Sequence, residues 1–127
     1  DFVSVNTPFG AETASLIGGP ELSAMKPTAF LVNTARGGVV DEPALIAALE
    51  AGKIAGAGLD VFLQEPLPPE SPLWKTKNVT IFSHLGGYSQ GYEDRAMPTI
   101  AGNMAKFLAG DLKSMINIVR KPMSWSN

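Results

Sequence analysis

Ala29-Phe30-Leu31-Val32-Asn33-Thr34-Ala35-Arg36-Gly37-Gly38-Val39-Val40-Asp41-Glu42 is the stretch that decides how the rest of the chain reads. Residues 29–33 are apolar without alternation, the pattern of a strand covered on both faces. Asp41 is a good helix N-cap, because its short carboxylate can accept from the backbone N–H groups that a first turn leaves unpaired. The helix it opens runs to about residue 51, with Leu45, Ile46 and Leu49 on one face. Gly52 is the expected stop. Between strand and helix lies a tight segment with one cation, Arg36, beside two glycines.

The same alternation extends in both directions. Residues 2–6 read as a strand closed by Thr7-Pro8. A short helix is expected over about 20–26, with Pro20 in its first turn and Pro27 ending it. Residues 54–62 hold a third strand, ending in Leu59-Asp60-Val61. Residues 65–72 are proline-rich and predict an extended loop. Residues 79–82 read as a fourth strand. Ser89 can cap a longer last helix whose stripe is Met97, Ile100, Ala101, Met104, Phe107 and Leu108. Pro98 lies early in it, and Gly110 ends it. Val119 onward, with Lys121-Pro122-Met123-Ser124-Trp125, reads as a tail. Strands alternating with helices predict an α/β fold built on a parallel sheet, with helices on its faces.

Composition removes several function classes. The 127 residues suffice for one domain with a core. The formal net charge is −2 and the ten Lys and Arg are scattered, so no nucleic-acid or membrane surface is expected. The absence of cysteine excludes a disulfide framework, a Cys-ligated zinc and a Cys nucleophile, and it fits a reducing cytoplasm. No apolar run reaches the ~18 residues of a membrane span. No metal site is expected. The chain opens on Asp1 and then directly on an apolar run, as expected of a piece of a longer protein.

In a parallel α/β sheet, ligands bind beyond the C-terminal ends of the strands. Thr7-Pro8 follows the first strand, and Thr34-Ala35-Arg36-Gly37-Gly38 follows the second. Asp60 and then Glu65 follow the third, and His84-Leu85-Gly86-Gly87 follows the fourth. One rim therefore receives a cation, two carboxylates and the sole histidine. Arg36 could clamp a carboxylate in bidentate fashion, with its glycines letting backbone approach a ligand, or it could pair with Asp41 or Glu42 at the surface. His84 is the natural general acid–base, or else a histidine bonded to backbone at a strand end. Glu65 could fix the imidazole, or be a solvated loop carboxylate. Asp60 could accept from an amide-bearing ligand, or cap the turn after it. Gly56-Ala57-Gly58-Leu59-Asp60-Val61 begins like a dinucleotide fingerprint. It lacks the third glycine and runs into a strand, so it reads as close packing.

Taken together, these segments resemble the D-isomer-specific 2-hydroxyacid dehydrogenases. Residues 31–42 are similar to that family's signature segment. Ala44-Leu45-Ile46-Ala47-Ala48-Leu49, Gly56 to Phe62, Glu65-Pro66-Leu67 and Ser83-His84-Leu85-Gly86-Gly87 follow in the family's order and at its approximate spacing. The resemblance covers residues 1 to about 110. It implies the later part of a Rossmann-like dinucleotide-binding domain, with residues 111–127 a tail returning to a substrate domain. It implies a homodimeric, cytoplasmic enzyme that moves a hydride between NAD, or alternatively NADP, and a 2-keto or D-2-hydroxy acid. Arg36 would bind the substrate carboxylate and polarise the keto oxygen. His84 would exchange a proton with that oxygen, and Glu65 would orient His84 and raise its pKa. Asp60 would hold the nicotinamide carboxamide. Thr34, Ala35, Arg36, His84, Gly86 and Gly87 would line the nicotinamide site, and Thr7, Pro8 and Thr13 the adenosine side.

Two features depart from the family. Its Gly-x-Gly-x-x-Gly turn is absent from these residues, being expected upstream, and Ser83 stands where relatives often have Pro. The 127 residues alone are therefore expected to be inactive. Glu65 argues against the formate dehydrogenase branch, which has Gln there. Corepressors resembling this family bind the nucleotide as a sensor and can retain all three catalytic residues, so a binding protein is the alternative to an enzyme, with an inactive truncated domain as the third.

Overall fold

The computed structural model describes residues 1–118; the expected tail from residue 119 onward lies outside the described residues. The chain divides into two compact units, Asp1–Gly87 and Tyr88–Asn127.

The first unit is a four-stranded parallel sheet in the order β1-β2-β3-β4, with β1 Phe2–Val5, β2 Phe30–Asn33, β3 Gly56–Leu59 and β4 Val79–Ile81. Helix α1 (Gly19–Ala24) joins β1 to β2, and α2 (Glu42–Glu50) joins β2 to β3. The two helices pack side by side. Parallel neighbours require such crossovers. The register sets Asn33 beside Val5 on one side and Leu59 on the other, so the strands end together at one rim.

The core joins Val5, Leu31 and Leu59 of the sheet to Leu22 of α1 and Leu45, Ala48 and Leu49 of α2. Leu22, Leu31 and Leu45 are almost fully buried. Burying such a side chain is worth about 1.5–3 kcal/mol, so this cluster anchors the rim that carries the polar groups. On β1 and β2, Phe2 and Phe30 are exposed and stack with ring centroids 5.6 Å apart.

Local chemistry explains the boundaries. Asp41 caps α2 as expected, its carboxylate accepting from Ala44 N–H at 3.0 Å. Gly52 takes φ +64° at the helix end, a left-handed conformation that glycine adopts without a Cβ penalty. Gly56 is the close-packing residue expected of the small-residue run: a Cβ there would lie 2.8 Å from Asn78 O and 2.9 Å from the Phe30 ring. The expected loop after β3 runs into a 3-10 turn, Pro72–Trp74, which Ser71 caps through Leu73 N–H. A second 3-10 turn, Gly37–Val39, follows Arg36.

In the second unit, α3 spans Tyr92–Leu108. Its N-cap is Gly91 at φ +71°, and the expected cap Ser89 is not used as one. The Ser89 hydroxyl instead accepts from the Arg95 guanidinium at 2.6 Å. The helix continues through Pro98, and Gly110 at φ +72° ends it as expected. Among the described residues, no helix is long and apolar enough to cross a membrane.

Candidate active site

The rim is built by three strand ends that lean on one another. At the end of β2, Asn33 is buried and both ends of its amide are used. Its Oδ1 accepts from Ala35 N–H and its Nδ2 donates to Arg36 O, each at 3.1 Å. The backbone that carries Arg36 is therefore fixed by a side chain from the strand itself. Sequence reasoning did not assign Asn33 this part; its signal was an Asn at a strand end, where Asn commonly bonds backbone two residues on.

Gly37 and Gly38 serve a different purpose from the expected ligand approach. A Cβ on Gly37 would lie 1.9 Å from the Phe62 carbonyl carbon, and one on Gly38 would lie 2.6 Å from the Phe9 ring. The chain's own backbone and side chains fill the space that the glycines leave. Arg36 forms no ion pair with Asp41 or Glu42. Asp41 caps α2, and Glu42 accepts from Leu63 N–H at 3.0 Å. The Arg36 Nη1 donates to Ala35 O at 2.7 Å.

At the end of β3, Asp60 is buried at 5% exposure. Its carboxylate accepts from Leu85 N–H and Gly86 N–H, both at 2.7 Å, and its carbonyl accepts from His84 N–H at 2.9 Å. Three successive amides of the β4 loop thus converge on one residue. A buried carboxylate requires such donors. His84 sits at φ +58°, a left-handed conformation uncommon for a residue with a Cβ. Strain of this kind persists where the surroundings over-determine it, and it clusters at functional sites. Here the three Asp60 bonds hold it.

Glu65 and His84 meet as expected. His84 Nδ1 lies 2.7 Å from Glu65 Oε2, and Glu65 Oε1 accepts from Phe62 N–H at 2.9 Å. The hydrogen bond from His84 is the largest influence holding the Glu65 carboxyl below its usual range. The Phe62 N–H adds to it, and the charge of Arg36 acts in the same direction. An ionised Glu65 can only accept, so Nδ1 carries the shared proton and Nε2 is left for other chemistry. His84 and Glu65 border an apolar hollow of about 530 Å³ whose walls include Phe62, Leu67, Trp74 and Phe82.

Beyond β1 and β2 lies an open cleft of about 690 Å³ lined by Asn6, Thr7, Pro8, Phe9, Thr34, Ala35 and Arg36. It gathers five of the residues expected at a nucleotide site. Gly86 reaches the same neighbourhood: a Cβ there would lie 2.8 Å from Asp60 Oδ2 and 3.7 Å from Thr34 Cβ. Gly87 has open space around it. Thr13 shapes the loop rather than the cleft lining. Its hydroxyl donates to Pro8 O at 2.7 Å and accepts from Gly10 N–H at 2.8 Å.

A parallel sheet with a cleft at its strand ends, hydroxyls and a cation along that cleft, and a histidine–carboxylate pair beside it define a nucleotide-binding α/β unit of the dehydrogenase type. The sequence profile of the D-isomer specific 2-hydroxyacid dehydrogenase NAD binding domain matches residues 1–86, and the chain belongs to that family. It is 48% identical over 112 residues to a glyoxylate reductase of Korarchaeum cryptofilum, which covers 88% of this chain and 34% of that protein. It is 43% identical over 127 residues to a glyoxylate reductase of Thermococcus litoralis, covering 100% of this chain and 38% of that one. Among solved structures, a D-isomer specific 2-hydroxyacid dehydrogenase from Xanthobacter autotrophicus Py2, in complex with NADPH and MES, superposes with a TM-score of 0.79 at 42% identity. That match covers 94% of this chain and 48% of the other. The chain thus spans about a third of the length of the glyoxylate reductases it matches.

Proposed function

We propose that these residues include the later part of the NAD-binding domain of an enzyme that reduces a small 2-keto acid to a D-2-hydroxy acid. The observation that carries the proposal is the pairing of His84 Nδ1 with an ionised Glu65, on the same rim as the Arg36 turn. The glyoxylate reductase relatives favour a substrate with a small substituent beside the keto group.

The cleft at the ends of β1 and β2 fits part of the cofactor, with Thr34, Ala35 and Arg36 toward the nicotinamide and Thr7 and Pro8 toward the adenosine side. Its size falls within the range of ordinary ligand sites, and Thr7, Thr34 and Asn6 offer side chains for hydrogen bonds. Asp60 keeps lone pairs beyond those given to Leu85 and Gly86, and these would receive an amide from the carboxamide. When bound, the cofactor supplies the hydride. The chain's own residues do the remaining work. Arg36 presents a planar fork of donors that matches a substrate carboxylate and lies beside an oxygen gaining negative charge. In reduction His84, as the imidazolium, delivers its Nε2 proton to that oxygen and is left as the neutral Nδ1–H ring, whose Nε2 takes the proton back in oxidation. Glu65 keeps the ring in the Nδ1–H orientation that leaves Nε2 to the substrate.

The test is the reduction, by the full-length enzyme, of glyoxylate, hydroxypyruvate and larger 2-keto acids beside their methyl esters, with NADH and with NADPH. The free acids are expected to turn over, and the esters to lose at least tenfold in kcat/KM, because Arg36 then lacks its anion. Equal turnover of acid and ester would overturn the role of Arg36, and no turnover of any acid would overturn the reaction. Assembly as a homodimer belongs to the same proposal, and sedimentation of the full-length protein reads it directly.

A further inference from the structure

We infer that Glu42 is a positioning residue for the Glu65–His84 pair. This rests on the role given to that pair above. Glu42 stands at the first position of α2, immediately after the Arg36 segment and its 3-10 turn. Its side chain does not serve the helix end, where Asp41 already caps Ala44 N–H. It reaches across 21 positions of sequence, and its Oε2 accepts from Leu63 N–H at 3.0 Å. The preceding amide, Phe62 N–H, is the one that Glu65 Oε1 accepts at 2.9 Å. The same peptide backbone lies against Gly37, where any Cβ would meet Phe62 C at 1.9 Å, Phe62 O at 2.0 Å and Leu63 N at 2.4 Å.

The Phe62–Leu63 peptide is therefore gripped on two sides. Gly37 provides a flat surface for it, and Glu42 holds its following amide. Glu65, bonded to the adjacent amide, is placed by that grip, and through Glu65 so is the His84 ring. The bond also ties the segment carrying the cation to the loop carrying the carboxylate. Losing it frees the Leu63 end of the 62–65 loop while Phe62, buried in the core, stays anchored, since Leu63 is exposed and Glu42 only half-buried.

The discriminating variants are Glu42→Gln, which keeps an oxygen acceptor but removes the charge, and Glu42→Ala, which removes both. His84 is the sole histidine of the 127 residues, so the ring nitrogen-15 shifts of this chain report its neutral tautomer without any turnover. Glu42→Ala is expected to move the ring toward the Nε2–H form, with the Nδ1–H fraction relative to Nε2–H falling about tenfold, the scale of one lost hydrogen bond to a charged group. It should also expose the Leu63 amide to solvent exchange. Glu42→Gln is expected to leave both near wild type. A folded Glu42→Ala chain with an unchanged tautomer would overturn the inference. So would a Glu42→Gln chain that shifts as far as Glu42→Ala, because charge at the helix start would then be the cause. If Glu42→Ala does not fold, Glu42→Gln and Glu42→Asp decide: Gln must hold the tautomer and the shorter Asp must lose it. The tautomer readout needs no substrate, so the reaction proposed above can fail while this inference stands, and the reverse.

Discussion

The Arg36 segment and the His84 segment occupy the same rim but are held in opposite ways. Arg36 rides on a backbone locked from beneath, by a buried Asn33 and by glycines whose missing side chains are filled by Phe62 and Phe9. His84 is itself left-handed and sits in a loop held by hydrogen bonds to Asp60 and Glu65. Its side chain is half exposed, at 47%. A packed platform suits the anion binding proposed for Arg36. A tethered loop suits the proton exchange proposed for His84. The difference also separates the routes by which each can fail: the first through packing, the second through hydrogen bonding.

Gly37→Ala attacks the platform directly. With no space for a Cβ, it is expected to cost about 3 kcal/mol or more, the upper range for overpacking. The midpoint of denaturant unfolding measures it, and a cost below 1 kcal/mol would show that the Phe62 backbone is free to move. Asp60→Ala attacks the tether. Leaving Leu85 and Gly86 N–H without their acceptor is expected to cost about 1–3 kcal/mol. Amide exchange should rise at residues 84–86 and stay slow at Ala35, which sharpens the contrast between the two segments. Equal acceleration at Ala35 would erase it.

The smallest effect concerns pH. Glu65 has a folded-state pKa below its ordinary value of 4.5. Its contribution to stability is therefore present above that pH and is lost as the pH falls through the lowered folded value. Glu65→Gln should reduce stability slightly above pH 4.5, and the gap from wild type should close on further acidification. A gap that widens in acid would have the wrong sign.

The two segments were also unequally legible in the sequence. The strand–Arg36–glycine–Asp41 run announces its strand, its cap and its helix by local chemistry alone, and the structure follows it. What it does not announce is what fills the glycines, because Phe62 and Phe9 arrive from elsewhere in the chain. The His84 segment shows its histidine but not its left-handed backbone, since that conformation is imposed by Asp60, 24 positions earlier in the sequence. Asn33 read only as the end of a strand and Glu42 only as a surface partner for Arg36, for a similar reason: an amide and a carboxylate beside conspicuous neighbours look ordinary until their partners are known. At α3, the period was readable, but the cap was not, because Ser89 spends its hydroxyl on Arg95 and Gly91 takes the cap instead.

The most direct measurement is steady-state reduction of glyoxylate by full-length wild-type, His84→Ala and Arg36→Ala enzymes, with kcat and KM determined separately. His84→Ala is expected to lower kcat by about 10²–10⁴-fold with KM within a few fold, the scale of general acid catalysis. Arg36→Ala is expected to raise KM as well as lower kcat, since it loses the carboxylate in ground and transition states alike. Near-normal kcat in His84→Ala, or an unchanged KM in Arg36→Ala, would contradict the division of labour between loop and platform.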